Sequence, residues 1–274
     1  HVEPHTPTTH TGMIGQITLI GAGNVAHHLG PALRASGVEI SQVFSRNYDK
    51  ASHLAAITSS EAISDLSKVA PSDLMVLAVS DQAIPEVSAA LSHFLPEDTF
   101  VVHTSGATSS AFIAGHFRRY GVFYPLQTFS MSREVAFEEV PICIHAGTES
   151  DLLELEALAG RISRSVHRVS DEQRRWLHLT AVIVNNFPNH LYSLAHEVLS
   201  DQHLPFDLLK PLILETARKV QDHPPAAMQT GPARRGDRAT IEAHLRLLEQ
   251  YPGVREVYEV LTKNIVESGE WRVK

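Results

Sequence analysis

A short run of small residues sets the first chemical expectation. Gly21-Ala22-Gly23-Asn24-Val25-Ala26 follows an apolar stretch at 16–20 (QITLI) and opens a segment with helical spacing. In that context Gly21 permits a tight turn, Gly23 lets the backbone approach a pyrophosphate, and Ala26 lets the helix lie close to its strand. The N–H groups and positive dipole end of the helix then attract phosphate. The plainer alternative is a turn that holds no ligand. About twenty residues on, the next strand ends in Val43-Phe44-Ser45-Arg46-Asn47, where an NAD site places an acid for the ribose 2′-hydroxyl. A hydroxyl and a guanidinium stand there instead. Ser45 and Arg46 suit a 2′-phosphate, so NADP(H) is the expected cofactor, with a solvated surface arginine as the alternative for Arg46.

Two further strand ends carry polar groups, Val79-Ser80-Asp81-Gln82 and His103-Thr104-Ser105-Gly106. Ligands of open α/β sheets bind outside the carboxyl ends of the strands, so Ser80, Asp81 and Ser105 are candidates for cofactor contact. Asp81 can instead cap a helix, and Ser105-Gly106 can be only a turn. His103 either faces a substrate or packs at the strand end, and Tyr124 and Gln127, after the strand at 121–126, can line a cleft between domains, with core packing the alternative for Tyr124.

Further along, His178, Val182, Asn185 or Asn186, and Asn189 fall on one side of a helix at α-helical spacing. His178 is the candidate proton donor, because histidine ordinarily titrates near neutrality, and Asn186 and Asn189 would add amides beside it. The alternative makes all of them groups that tie helices together. His190 reads as structural. In the loop 229–237, Arg234 or Arg235 can hold a carboxylate bidentately or remain solvated, and Asp237 suits a helix N-cap. His27 and His28 are adjacent without further ligands at metal spacing, so no metal is expected. Cys143, in the apolar run Pro-Ile-Cys-Ile, reads as a buried structural thiol.

The elements that must position these groups alternate. Apolar β-type runs occur at 16–20, 38–44, 74–79, 99–103, 121–126 and 141–145, with helical segments at 24–36, 48–56 and 82–94 between the first four. That alternation implies a parallel, doubly wound sheet. A helix at 150–163 and an edge strand at 165–169 follow. The pattern then becomes helical throughout: 171–200 with a kink at Pro188, 206–221, and 237–267 broken near Pro252-Gly253. The stretch 222–236 is too rich in Pro and Gly to be helical and reads as a loop. The expected fold is α/β: a leader over 1–12, with Met13 a plausible start, a Rossmann domain over 13–170, and an all-α domain over 171–274.

Bulk properties narrow the function classes. A net charge of −8 argues against nucleic acid and anionic membrane as partners. No apolar stretch is long enough to span a bilayer, and a single cysteine fits a reducing, cytoplasmic setting. Apolar positions over 206–217 and 254–265 suggest a face that only a second copy covers, so a homodimer through 171–274 is expected.

With the glycine motif and Ser45-Arg46, the first half resembles the β-hydroxyacid dehydrogenase and pyrroline-5-carboxylate reductase superfamily, and also the deazaflavin-dependent NADP reductases. The segments GVFYPLQTFS (121–130), HLTAVIVNNFPNHL (178–191) and QTGPARRGDRATIEAHL (229–245) are similar to a bacterial family of Rossmann-like proteins whose C-terminal domain has no assigned function. The resemblance runs from about residue 16 to the end. It implies NADP(H), a helical domain like that of 6-phosphogluconate dehydrogenase, frequent dimerisation through it, and no particular substrate. One departure stands out. β-Hydroxyacid dehydrogenases carry a lysine one turn before an asparagine on the first long helix of the second domain, where this chain has Ala181 and Val182. The expected activity is hydride transfer to or from a small carbonyl or imine acid in an interdomain cleft. The missing lysine keeps a non-catalytic sensor of NADP(H) or a metabolite as the alternative.

Overall fold

The computed structural model describes residues 13–271, so the leader expected over 1–12 lies outside the described residues. Two compact units divide between Val182 and Ile183.

The first unit is a mixed sheet with helices on both faces. Its elements run β1 (Gln16–Ile20), α1 (Asn24–Ala35), β2 (Glu39–Phe44), α2 (Tyr48–Thr58), β3 (Glu61–Ile63), β4 (Leu74–Leu77) and α3 (Ile84–Leu91). Then come β5 (Phe100–His103), α4 (Ala111–Ala114), β6 (Arg119–Pro125), β7 (Ile142–Ala146), α5 (Glu149–Gly160), β8 (Val166–Arg168) and α6 (Asp171–Ala181). The sheet order is β3-β2-β1-β4-β5-β6-β7-β8. Every neighbouring pair is parallel except β6 with β7. This is the doubly wound Rossmann arrangement, and its order reverses between β1 and β4, where such sheets bind ligands.

Burial explains the sequence pattern. All four residues of β4 (LMVL) and of β5 (FVVH) are buried, as strands covered on both faces require. One apolar layer gathers Leu19, Leu29, Val76, Phe123 and Leu155, and the opposite layer gathers Ile20, Leu77, Ile84 and Phe117. Local signals fix the helix starts. The Asn47 side chain accepts from Lys50 N at 3.2 Å to cap α2, and Thr148 caps α5 through Asp151 N at 3.1 Å. Ser170 and Gln173 close a reciprocal capping box on α6.

The unit boundary falls one helix later than the expected 170/171. The reason is electrostatic. The Asp171 carboxylate accepts from Ser109 Oγ (2.8 Å), Ser110 N (2.8 Å) and Ser110 Oγ (3.0 Å), which ties the start of α6 to the loop after β5. Arg174, 1% exposed, donates to Asp171 Oδ1 at 2.8 Å and to the Thr108 carbonyl.

The second unit is helical: α7 (Phe187–Asp201), α8 (Lys210–Asp222), α9 (Pro232–Arg235), α10 (Arg238–Leu247) and α11 (Pro252–Trp271). A π turn at Val182–Asn186 joins α6 to α7. It lies just before Pro188, which has no N–H to donate and whose ring crowds the carbonyl four residues back, so the expected kink takes this form. The break expected at Pro252-Gly253 is a 3₁₀ turn at Leu248–Gln250 ahead of α11. The stretch 222–236, expected as pure loop, holds a 3₁₀ turn (Pro225–Met228) and the one-turn helix α9. Asp237 caps α10 as expected, accepting from Thr240 N at 3.1 Å. Among the described residues from Ile183 onward none is buried.

Candidate functional site

The carboxyl end of β1 turns at Gly21, whose φ of +120° lies in the left-handed region that favours glycine. A Cβ on Gly21 would also stand 2.3 Å from the Ala78 carbonyl oxygen. The turn is therefore pressed against the end of β4, with Gly21 N donating to Phe44 O and Ala78 N to Ile20 O, both at 2.8 Å. Gly23 is the opposite case. A Cβ there would meet nothing within 4 Å, so the space beside it is open. Gly23 caps α1 without a side-chain hydrogen bond, and no acid stands in the helix's first turn. The N–H groups of Asn24, Val25 and Ala26 therefore remain available to an anion. Ala26 is fully buried.

A cleft of about 390 Å³ opens beside this turn, lined by Gly21, Ala22 and Gly23, by Phe44–Asn47 after β2, and by Ala78–Ser80 after β4. Leu66, Ala83 and Val87 make part of its wall apolar, and Lys50 and Glu86 also reach it. Arg46 and Lys50 are exposed, and neither joins an ion pair among the described residues. An open cradle, free N–H groups and two unpaired cations fit a dinucleotide with an extra phosphate. Lys50 escaped the sequence reading. Its signal was the spacing Arg46-x-x-x-Lys50, which puts both cations at the start of α2 once Asn47 is taken as its cap.

The other candidates are distributed as follows. Gly21, Gly23, Ser45, Arg46 and Ser80 line the cleft. Asp81 heads an exposed 3₁₀ turn (Asp81–Ala83), and no side chain caps that turn or α3. Ser105 is 5% exposed, and its hydroxyl is committed to its own loop, accepting from Ala107 N at 3.1 Å and Thr108 N at 2.9 Å. His103 is wholly buried and accepts from Ser105 N at 3.1 Å through Nδ1. Of its two readings, this is the geometry of strand-end packing. Burial, with the Arg174 charge adding to it, pushes its imidazole down to about 3 and keeps the ring neutral.

Tyr124 and His178 come together. Tyr124 Oη lies 3.3 Å from His178 Nδ1, with the rings edge-on at 6.3 Å. Asp171, Arg174 and His178 occupy one face of α6 by their spacing of three and four, so the anchor that fixes the helix also aims the histidine. Neither Asp171 nor Arg174 was singled out from sequence, although the capping box Ser170-x-x-Gln173 and this spacing carried the signal. Burial opposes ionisation of Asp171, but bonds from Ser109, Arg174 and Ser110 outweigh it and hold the carboxyl at about 2.

Gln127 is exposed and accepts only from its neighbour, Thr128 N, at 2.8 Å. Asn186 closes the π turn and Asn189 lies one turn further on in α7, and both are exposed. A π turn takes one more residue than an α turn, so the spacing that put them on the face of His178 does not carry across it. Arg234, on α9, is exposed and without an ion pair among the described residues. Cys143 is buried beside Tyr124 in the antiparallel β6–β7 pair, and burial pushes its thiol up.

The family described as "NADP oxidoreductase coenzyme F420-dependent" matches residues 16–106. "Domain of unknown function (DUF2520)" matches residues 140–265, beginning inside the sheet just before β7. No curated protein matches the chain. Among solved structures, a "putative NADP oxidoreductase" from Bacteroides fragilis is 42% identical over 93% of this chain and 99% of its own, with a TM-score of 0.88. A protein from Thermotoga maritima is 24% identical over 93% and 99%, with a TM-score of 0.78. An imine reductase from Myxococcus stipitatus in complex with NADP+ is 16% identical over 93% and 95%, with a TM-score of 0.66. The last two speak to the fold alone. With that level of identity to the Bacteroides protein over nearly the whole of both chains, this chain belongs to the same family of NADP oxidoreductases, a Rossmann domain followed by the helical domain of unknown function.

Proposed function

We propose that the protein is an NADP(H)-dependent reductase of a small carbonyl or imine acid. The observation that carries this reading is the pair of unpaired cations, Arg46 and Lys50, at a cleft built on Gly21–Ala26, where an NAD site would hold an acid. NADPH bound there supplies a hydride. The chain's own groups do the rest. The N–H groups of Asn24, Val25 and Ala26 hold the pyrophosphate, Ser45, Arg46 and Lys50 take the 2′-phosphate, and Leu66, Ala83 and Val87 offer a slot for adenine. His178 passes a proton to the oxygen or nitrogen that receives the hydride. Arg234, exposed and unpaired, is the candidate grip on a substrate carboxylate, and Gln127, Asn186 and Asn189 are candidate hydrogen-bonding groups to be sorted by substitution.

Two copies associate through the helical unit in this reading. Support comes from exposed apolar side chains there, among them Val184 (74% exposed), Leu247 (69%), Leu208 (64%) and Leu212 (63%). Such a density of bare aliphatic surface marks an interface. The cytoplasm suits a protein whose one thiol is buried and free.

The test is NADPH consumption against a panel of 2-keto acids and cyclic imines, with wild type beside His178→Ala. One acceptor should be reduced, and the variant should lose about 10²- to 10⁴-fold in turnover while NADPH affinity stays unchanged. Tight NADPH binding with no turnover across the panel would overturn the enzymatic reading in favour of a sensor, for which the absent superfamily lysine leaves room.

A further inference from the structure

The loop after β5, strand β6 and helix α6 meet at three residues. A Cβ on Gly106 would stand 2.5 Å from His178 Nδ1, 2.7 Å from Tyr124 Cζ and 2.8 Å from Tyr124 Oη. Gly106 does not have a positive φ, so its backbone does not ask for glycine. The space does. Any side chain there would drive the tyrosine and the histidine apart.

Tyr124 is half-buried, and burial pushes its phenol up to about 12, so the hydroxyl keeps its proton at any working pH. A neutral hydroxyl both donates and accepts. It can therefore accept from Nδ1–H, in the cation and in the neutral ring alike, and donate to Nδ1 whenever that atom is bare. A phenyl ring would do neither. Among the described residues, Nδ1 is the only group within hydrogen-bonding distance of Tyr124 Oη, and Tyr124 Oη the only one within reach of the His178 ring. Among the described residues Nε2 has no hydrogen-bond partner.

We propose that Tyr124 is the positioning residue of His178, holding Nδ1 in both protonation states so that Nε2 is the atom that exchanges a proton with substrate, with Gly106 supplying the room the pair needs. The proton-transfer half rests on the reading of His178 given under the proposed function. In the reductive direction a substrate that had received a hydride from bound NADPH would carry an alkoxide or amide anion, and His178 would protonate it. The Nε2–H bond of the imidazolium breaks, its electron pair stays on Nε2, and the proton forms the new O–H or N–H bond. The remaining proton sits on Nδ1, accepted by Tyr124 Oη.

The experiment uses the full chain labelled with ¹⁵N-histidine, with His178→Gln identifying the signal of that ring. In the wild type at mildly alkaline pH the two ring nitrogens of His178 should resolve as one tautomer, with Nδ1 protonated and Nε2 bare. Tyr124→Phe should pull both shifts toward the average of a mixture. The same variant should lose on the order of tenfold in kcat with little change in KM or NADPH affinity. In the His178→Ala background it should cost nothing further, because a residue acting through another has no effect once that residue is gone. Unchanged ring shifts in Tyr124→Phe, or a full additional loss on top of His178→Ala, would overturn the proposal. The shifts are read without substrate, so a missing turnover defeats the enzymatic reading and leaves the pairing to be judged on its own.

Discussion

The two units of this chain spend similar apolar sequence in different ways. In the first, both faces of the sheet are covered, and residues such as Ile17, Leu19, Leu29, Leu54, Leu74 and Phe100 keep at most 1% of their surface exposed. In the second, helices with equally regular apolar spacing bury no residue at all among those described. Leu212 of α8 and Val260 of α11 remain 63% and 61% exposed. The difference is one of completeness. The first unit closes its own core and can hold a rigid site. The second leaves large aliphatic side chains exposed, and full burial of each would be worth about 1.5–3 kcal/mol.

Introducing a charge into that face should have the largest effect. Leu212→Asp, as an ordinary surface change, would alter stability by no more than about 0.5 kcal/mol. If the face is an interface, it buries an unpaired carboxylate and should weaken self-association by about 10²- to 10³-fold. Light scattering across a concentration series separates these outcomes, and a wild-type monomer at every concentration would break the comparison. NADPH affinity should not change, since the cleft residues belong to the first unit.

Next comes the anchor that keeps α6 with the first unit. Arg174→Met leaves Asp171 without its buried cation and should cost about 3 kcal/mol, read as a lower denaturant midpoint. A change within experimental error would mean that the Ser109 and Ser110 contacts hold α6 by themselves.

The smallest effect per step, read one pH unit at a time, is a pH slope that belongs to the first unit. Folded His103 protonates only near 3, whereas the unfolded chain takes up that proton near 6.5. Stability is therefore complete above about 6.5 and falls as the pH drops toward 3, by up to about 1.4 kcal/mol per pH unit. Asp171 adds a second loss as the pH falls from 3.8 toward about 2, because its folded carboxyl is depressed. His103→Asn should flatten the first slope and leave the second. Parallel slopes in the two proteins would contradict this assignment.

Much of the first unit was legible because buried parallel strands leave continuous apolar runs, and the runs ending at Ile20, Phe44 and His103 each close a strand of the sheet. Strand β3 was not. Its three residues, Glu61-Ala62-Ile63, bury only Ile63 fully, too short a pattern to register. The cleft beside Gly21 was legible because glycines and a strand-end arginine carry local signals. The capping box and the spacing of Asp171, Arg174 and His178 were readable, but the roles of Asp171 and Arg174 were missed because their partners are tertiary. An acid and a base at a helix start look like ordinary solvated charges until the Ser109-Ser110 loop is seen against them. The face from His178 to Asn189 was drawn on α-helical periodicity, and the π turn ahead of Pro188 interrupts that period in a way that spacing alone does not reveal.

The most direct test of the account is a pair of calorimetric titrations of the full chain, with NADPH and with NADH. Two free cations and no acid at the end of β2 predict that NADPH binds about 10- to 100-fold more tightly, and that Arg46→Ala combined with Lys50→Ala removes most of the difference. Equal affinities in the wild type would contradict it.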